Sequence, residues 1–186
     1  MQLQQDALER ARKVRLIILD VDGVLTDGKL HIGPEGECFK SFNCQDGLGI
    51  SLVKKCGLKT AIITGRESAM VAVRAAELKM DALYQGQKNK TAAFQALCRE
   101  YQLQPAEIAY IGDDLIDLPI MNRVGFAAAV NNAVAEVKAM AHLVSARTGG
   151  DGAVREILEF ILKAQDSWDK MIQEYSEMPA WENIEQ

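Results

Sequence analysis

Asp20 and Asp22 stand on either side of Val21, directly after the apolar run Leu16-Ile17-Ile18-Leu19, and Gly23 follows them. Two carboxylates this close repel each other unless a proton or a cation comes between them. A hard, oxygen-seeking ion such as Mg2+ removes that repulsion. A strand-to-loop cap also uses Asp, so this pair taken alone supports either reading. A second acidic group, Gly112-Asp113-Asp114-Leu115-Ile116-Asp117, follows another apolar run. Capping and the helix dipole account for one aspartate there; three in five residues exceed what a cap requires. Two carboxylate clusters on separate strand ends favour a cation held between them.

Two further stretches add polar chemistry. Ile62-Ile63-Thr64-Gly65-Arg66 brings a small hydroxyl and backbone amides to a strand exit, although Thr64 could equally cap a helix beginning near Ser68. In Gly86-Gln87-Lys88-Asn89-Lys90-Thr91, Lys90 opens a helix, where a cation opposes the dipole unless an anion lies close by. Lys88 competes for that role and reads more simply as a solvated charge. A carboxylate nucleophile, a second carboxylate, a hydroxyl, a cation and metal ligands form an inventory suited to phosphoryl transfer. Phosphate esters hydrolyse so slowly unaided that positioning and charge neutralisation must supply most of the acceleration.

The elements that must position these groups follow from the hydrophobic pattern. Short apolar runs at Leu16–Leu19, Thr60–Ile63, Ala109–Ile111 and Gly125–Val130 alternate with helical spacing at Gly47–Cys56, Ser68–Leu78, Thr91–Tyr101 and Ala133–Ala141. Alternation of this kind predicts βαβ crossovers and a mainly parallel sheet covered on both faces, an α/β three-layer sandwich of Rossmann-like form. In such a sheet, residues just past the strand ends converge on the ligand crevice. A β-hairpin over 29–42, turning at Gly33-Pro34-Glu35-Gly36, protrudes after the first strand. One helix is expected from Val154 to about Gln173, with a loosely ordered acidic tail over 174–186.

With 186 residues, 48% of them apolar and 25% charged, the chain suits a single soluble domain spanning 1–186. A net charge of −5 argues against nucleic acid or an anionic membrane as partner. The longest apolar run is far short of a membrane span, and Met1–Arg15 alternates charges without the apolar core of a secretory leader. Cys38, Cys44, Cys56 and Cys98 show no paired spacing, and His31 and His142 lie far apart, so no zinc site is expected. Dispersed thiols suit a reducing cytoplasm.

In order and type, Asp20-Val21-Asp22-Gly23, Thr64, Lys90 and Gly112-Asp113-Asp114-x-x-Asp117 resemble the four motifs of the haloacid dehalogenase phosphatases. Asp22–Gly28, Asn43-x-x-Asp46-Gly47, Ile62–Arg66, Gly112–Pro119 and Gly152–Glu156 are similar to the phosphatases of 3-deoxy-D-manno-octulosonate 8-phosphate within that superfamily. The resemblance runs from about Val14 to Gln165. It implies Asp20 as nucleophile through an aspartyl phosphate, and Asp22 as acid and then base. It also implies Mg2+ held by Asp20, Asp113 and the Asp22 carbonyl, with Asp114 and Asp117 orienting ligands or metal-bound water. Thr64 would donate to a phosphoryl oxygen, and Lys90 would balance charge.

The intervals between motifs are well below domain size, so no cap domain is expected. The resemblance therefore implies closure by a homotetramer, with hairpins from neighbouring subunits assembled together. Asn43, Asp46 and Gly47 fall where the family meets a sugar; Gly65, Arg66 and Arg74 fall where it meets an anion. The eight-residue spacing of Arg66 and Arg74 puts both on one helix face, with surface solvation as the alternative for Arg74. Ser51 and Asp151 depart from the pattern, standing where relatives often carry basic residues. Two other functions stay open. One is a phosphatase of a nine-carbon keto sugar acid phosphate; the other is a non-catalytic oligomerisation module.

Overall fold

The computed structural model describes residues 2–177, with side chains from Gln5 onward. Its elements are α1 (Gln2–Ala11), β1 (Leu16–Leu19), β2 (His31–Gly33), β3 (Gly36–Phe39), α2 (Cys44–Lys55), β4 (Lys59–Ile63), α3 (Ala69–Glu77), β5 (Ala82–Tyr84), α4 (Thr91–Glu100), β6 (Ile108–Gly112), α5 (Leu118–Met121), β7 (Phe126–Ala129), α6 (Ala135–Met140), β8 (Leu143–Val144), α7 (Ala153–Ala164) and α8 (Trp168–Ser176). Of the tail expected over 174–186, the first residues complete α8, and 178–186 lie outside the described residues.

All strands except the hairpin pair β2–β3 join one parallel sheet in the order β5-β4-β1-β6-β7-β8. β1, β6 and β7 are buried along their whole length, as parallel strands covered on both faces must be. From β1 the chain runs outward through β4 to β5, then returns across the sheet to β6 and continues through β7 to β8. Right-handed crossovers therefore place α2 and α3 on one face and α4, α5 and α6 on the other. The packing agrees, since α1 and α2 both lie on α7, while α5 meets α4 and α6.

This order decides where chemistry can occur. Strand direction of travel reverses at β1, which opens a crevice at the carboxyl ends of β1, β4 and β6. Leu19 is level with Ile62 of β4 and Ile111 of β6. Asp20 extends the strand by donating its N–H to the Ile111 carbonyl at 3.1 Å, and Thr64 and Asp113 follow the ends of the flanking strands.

The expected helix over 154–173 is two helices. α7 ends in a Schellman turn: Ser167 N–H donates to the Leu162 carbonyl (2.9 Å) and Asp166 N–H to that of Lys163 (3.2 Å). Asp166 takes the left-handed conformation there, with φ of 55°. Helix termination usually announces itself in sequence as glycine at this position, and aspartate conceals it. The two-residue β8 is likewise absent from the sequence pattern.

Asp81 fastens this side of the sheet. Its carboxylate accepts from Lys54 Nζ (2.5 Å), Lys59 Nζ (3.0 Å), and the N–H (3.0 Å) and hydroxyl (3.2 Å) of Thr60. Burial opposes its charge, but the Lys54, Thr60 and Lys59 hydrogen bonds outweigh this and bring the carboxyl down to about 2. A depressed carboxylate stabilises the fold above its unfolded-state value, and that support is lost as pH falls from about 4 towards 2. Asp81→Asn is expected to cost about 2 kcal/mol in urea unfolding at pH 7. The gap from the parent chain should close near pH 2; a gap of equal size there would contradict the assignment.

Candidate active site

Three carboxylates, those of Asp20, Asp113 and Asp117, have oxygens within 4.8 Å of one another at the mouth of the crevice. Lys90, at the cap position of α4 and only 2% exposed, reaches into this group. Its ammonium lies 2.7 Å from Asp20 Oδ2 and 2.7 Å from Asp117 Oδ1. The anion needed to offset the helix dipole at Lys90 is thus present twice over. Burial opposes the Lys90 charge, but Asp20 and Asp117 outweigh it and push its proton affinity above the ordinary lysine range.

Asp117 has no free lone pair. Its Oδ1 accepts from Lys90 and from the Tyr110 hydroxyl (2.6 Å), and its Oδ2 accepts from the N–H groups of Asp113 (2.9 Å) and Asp114 (3.2 Å). A carboxylate offers about four acceptor sites, so Asp117 shapes the loop and holds Lys90 although it lies within reach of a cation. Asp113 differs: its Oδ1 is buried with no hydrogen-bond partner among the described residues. Burial and the charges of Asp20 and Asp117 push the Asp113 carboxyl up to about 8. Burial and Asp117 raise Asp20 to about 6, against the pull of Lys90. An orphaned buried oxygen among mutually repelling carboxylates is a donor set that fits a small, hard divalent cation.

The backbone around these groups is tightly packed. Gly23 has φ of 90°, and a β-carbon there would fall 2.0 Å from Asp113 Oδ2, so glycine is needed for the two loops to meet. Asn132 ties a third loop onto the same place, donating to the Gly23 carbonyl (3.2 Å) and accepting from Gly149 N–H (2.7 Å).

Asp22 lies beside this cluster. Its Oδ1 accepts from Lys40 Nζ, and Arg66 Nε stands 3.8 Å from its Oδ2. Thr64 is buried and joins β5 by donating its N–H to the Tyr84 carbonyl at 2.9 Å. It does not cap α3, whose cap is Ser68. Gly65 packs near Ile116 of the β6 loop, which brings the two strand exits together.

The outer candidates have other partners. Asn43 caps α2, its Oδ1 accepting from Gln45 N–H at 2.7 Å. Asp46 is buried and accepts from Arg155 N–H in the first turn of α7 (2.7 Å); its Oδ2 has no partner among the described residues. Arg74 donates to the Asn43 carbonyl (3.4 Å) and pairs with Glu77 (2.9 Å), its guanidinium packed where a side chain on Gly47 would have to go. Arg66 and Arg74 do not share a helix face, because α3 begins at Ala69 and Arg66 belongs to the preceding loop. Asp114 is exposed and caps the short turn Leu115–Asp117. Ser51 turns its hydroxyl back onto the Gly47 carbonyl at 3.2 Å, and Asp151 is exposed.

Sequence patterns do not single out Lys40, Glu37, Ser68, Tyr110 or Asn132 as members of the site. Tyr110 looks like core inside a buried strand, and nothing in the local pattern of the hairpin marks Lys40 as facing Asp22.

A doubly wound sheet whose β1 exit carries an aspartate cluster anchored by lysine defines a hydrolase of the haloacid dehalogenase-like class, and the pattern described as haloacid dehalogenase-like hydrolase matches residues 81–157. The chain is 46% identical over 161 residues to the 3-deoxy-D-manno-octulosonate 8-phosphate phosphatase KdsC of Yersinia pestis, covering 87% of this chain and 86% of that one. It is 44% identical over 165 residues to KdsC of Escherichia coli K12, covering 89% and 88%. A crystal structure of the Moraxella catarrhalis phosphatase, in complex with magnesium, phosphate and KDO, superposes with a TM-score of 0.89 at 41% identity, covering 92% and 98%. The chain belongs to this family of phosphatases within the haloacid dehalogenase-like hydrolases.

Proposed function

We propose that this chain hydrolyses 3-deoxy-D-manno-octulosonate 8-phosphate to the free sugar acid and inorganic phosphate, with Mg2+ as cofactor, in the synthesis of a lipopolysaccharide precursor. One observation carries the chemical part of this reading: the buried Asp20–Lys90–Asp117 set beside the orphaned Asp113 oxygen. Similarity to relatives named for this reaction supports the choice of substrate.

Asp20 attacks phosphorus, the bond from phosphorus to the sugar oxygen breaks, and that oxygen takes a proton from Asp22. Water then attacks the aspartyl phosphate and gives its proton to Asp22, while Asp20 departs with the bonding electron pair. Lys90 balances the charge of Asp20 and the phosphoryl group, and Thr64 donates its hydroxyl to a phosphoryl oxygen. Asp117 positions Lys90 and the Asp113 loop. Asp20, Asp113 and the Asp22 carbonyl would hold Mg2+, which when bound shields the approach of one anion to another. Asn43, Gly47, Gly65 and Arg66 would meet the sugar acid and its anionic group. Asp46 and Arg74 would support those contacts indirectly, through α7 and the start of α2.

The whole chain acts as one catalytic domain in the cytoplasm, and it assembles as a homotetramer. No helix among the described residues is long and apolar enough to cross a membrane, and all four cysteines are free thiols. Leu30, Ile32 and Phe39 of the hairpin region are 47%, 61% and 52% exposed, an apolar surface suited to burial against other copies.

The deciding experiment is a phosphate-release panel with added Mg2+, comparing the eight-carbon ester with nine-carbon keto sugar acid phosphates. Fastest turnover of the eight-carbon ester is expected. Faster turnover of a nine-carbon ester would replace the substrate, and inactivity on all of them would leave an oligomerisation module. Sedimentation of the same preparation as a monomer would remove the tetramer.

A further inference from the structure

The acid–base carboxyl is gripped from outside the four motifs. Lys40 follows β3 on the hairpin, and its side chain is 2% exposed although its backbone is open to solvent. Its ammonium donates to Asp22 Oδ1 and lies 3.0 Å from Glu37 Oε1. The other Glu37 oxygen accepts from the hydroxyl of Ser68, the cap residue of α3. A chain of contacts, Ser68–Glu37–Lys40–Asp22, therefore joins α3, the hairpin and the loop after β1.

A buried lysine needs partners to offset desolvation; Lys40 has them in Asp22 and Glu37, but the four-motif mechanism gives it no function. Burial opposes the charge of Glu37, yet Ser68 and Lys40 outweigh it and hold that carboxyl below its ordinary range. Lys40 and Glu37 thus form a nearly neutral pair. Such a pair can fix the geometry of Asp22 without adding net charge beside it. With Oδ1 engaged by Lys40, the other Asp22 oxygen, Oδ2, has Arg66 Nε at 3.8 Å.

We propose that Lys40, braced by Glu37 and Ser68, is a positioning residue that pins Asp22 Oδ1 and so leaves Oδ2 as the atom exchanging protons with the sugar oxygen and the attacking water. The inference rests on the acid–base reading of Asp22 above. In the first step Oδ2 gives its proton to the departing sugar oxygen as the phosphorus–oxygen bond breaks. In the second it receives one from water as the aspartyl phosphate is cleaved. A misplaced carboxyl costs most where the leaving group is a poor one, because an alkoxide cannot leave unprotonated; p-nitrophenolate can.

The test compares the first-turnover rate on the eight-carbon sugar phosphate with the p-nitrophenol burst from p-nitrophenyl phosphate. Lys40→Met is expected to slow the sugar ester by about 10- to 100-fold and to leave the aryl burst within about 3-fold. Lys40→Arg, which retains the donor and the charge, is expected to recover most of the loss. If Lys40→Met folds poorly because Glu37 is left unpaired, the double variant Glu37→Gln/Lys40→Met removes both charges together and should give the same pattern. Equal losses on both esters, or an unchanged sugar ester, would overturn the proposal. Asp22→Asn separates the two layers of inference. If it spares the burst and slows the sugar ester while Lys40→Met does not, only Lys40 is misassigned. If Asp22→Asn slows both bursts alike, the acid role itself fails and takes the Lys40 proposal with it.

Discussion

Asp20→Asn is expected to lower phosphate release by at least about 10,000-fold, the scale on which deleting a catalytic nucleophile acts. The amide keeps the shape of the carboxylate but is a far weaker nucleophile towards phosphorus. Stability should move the other way. In the metal-free protein, burial and the charge of Asp117 raise Asp20 to about 6. A raised carboxyl binds its proton more tightly when folded, so stability falls as pH rises from about 4 to about 6 through this group. Removing the charge removes that penalty and relieves Asp113, at the cost of one hydrogen bond from Lys90. The melting temperature without Mg2+ at pH 7 should therefore match or exceed that of the parent chain, measured alongside kcat. Rates within about 10-fold of the parent would discard Asp20 as nucleophile.

Lys90→Met combines loss of activity with loss of stability. Lys90 is the one cation in contact with both Asp20 and Asp117 among the described residues, and the two carboxylates are 4% and 0% exposed. Breaking a buried ion pair by removing one partner leaves an uncompensated charge, typically about 3–5 kcal/mol. The Tyr110 hydroxyl would remain on Asp117 Oδ1, but it brings no charge. Turnover should fall about 100- to 1,000-fold, as when one oriented donor is lost from a transition-state site. Urea unfolding with and without Mg2+ provides the check: the metal should restore more stability to the variant than to the parent. A loss below about 1 kcal/mol without Mg2+ would show that Lys90 does not neutralise the cluster.

Much of the site is legible in the amino-acid sequence, for a definite reason. Asp20, Thr64, Lys90 and Asp113 each sit at the end of a buried run or the start of a helix, and a parallel sheet brings such ends together at the strand-order reversal. The strands β1, β4, β6 and β7 are readable for the same reason, since burial makes them continuous apolar runs. The break between α7 and α8 is not readable, because it turns on the left-handed conformation of Asp166 where glycine would have signalled a stop. The spacing of Arg66 and Arg74 misleads, because eight residues mean a shared face only if one helix spans both.

Residue types and spacing along the chain determined the sheet, the crevice and the carboxylates that meet there, because these depend on local burial and strand direction. Only the tertiary structure decided which oxygens are free. Asp117 and Asp113 are both acidic and stand four apart, yet one has every acceptor site engaged and the other has a buried oxygen without a partner among the described residues. Lys40 reaches Asp22 across 18 residues, and Asp46 reaches Arg155 across 109. Hydrogen-bond occupancy is set by atoms brought together from distant segments, and local sequence carries no record of that pairing.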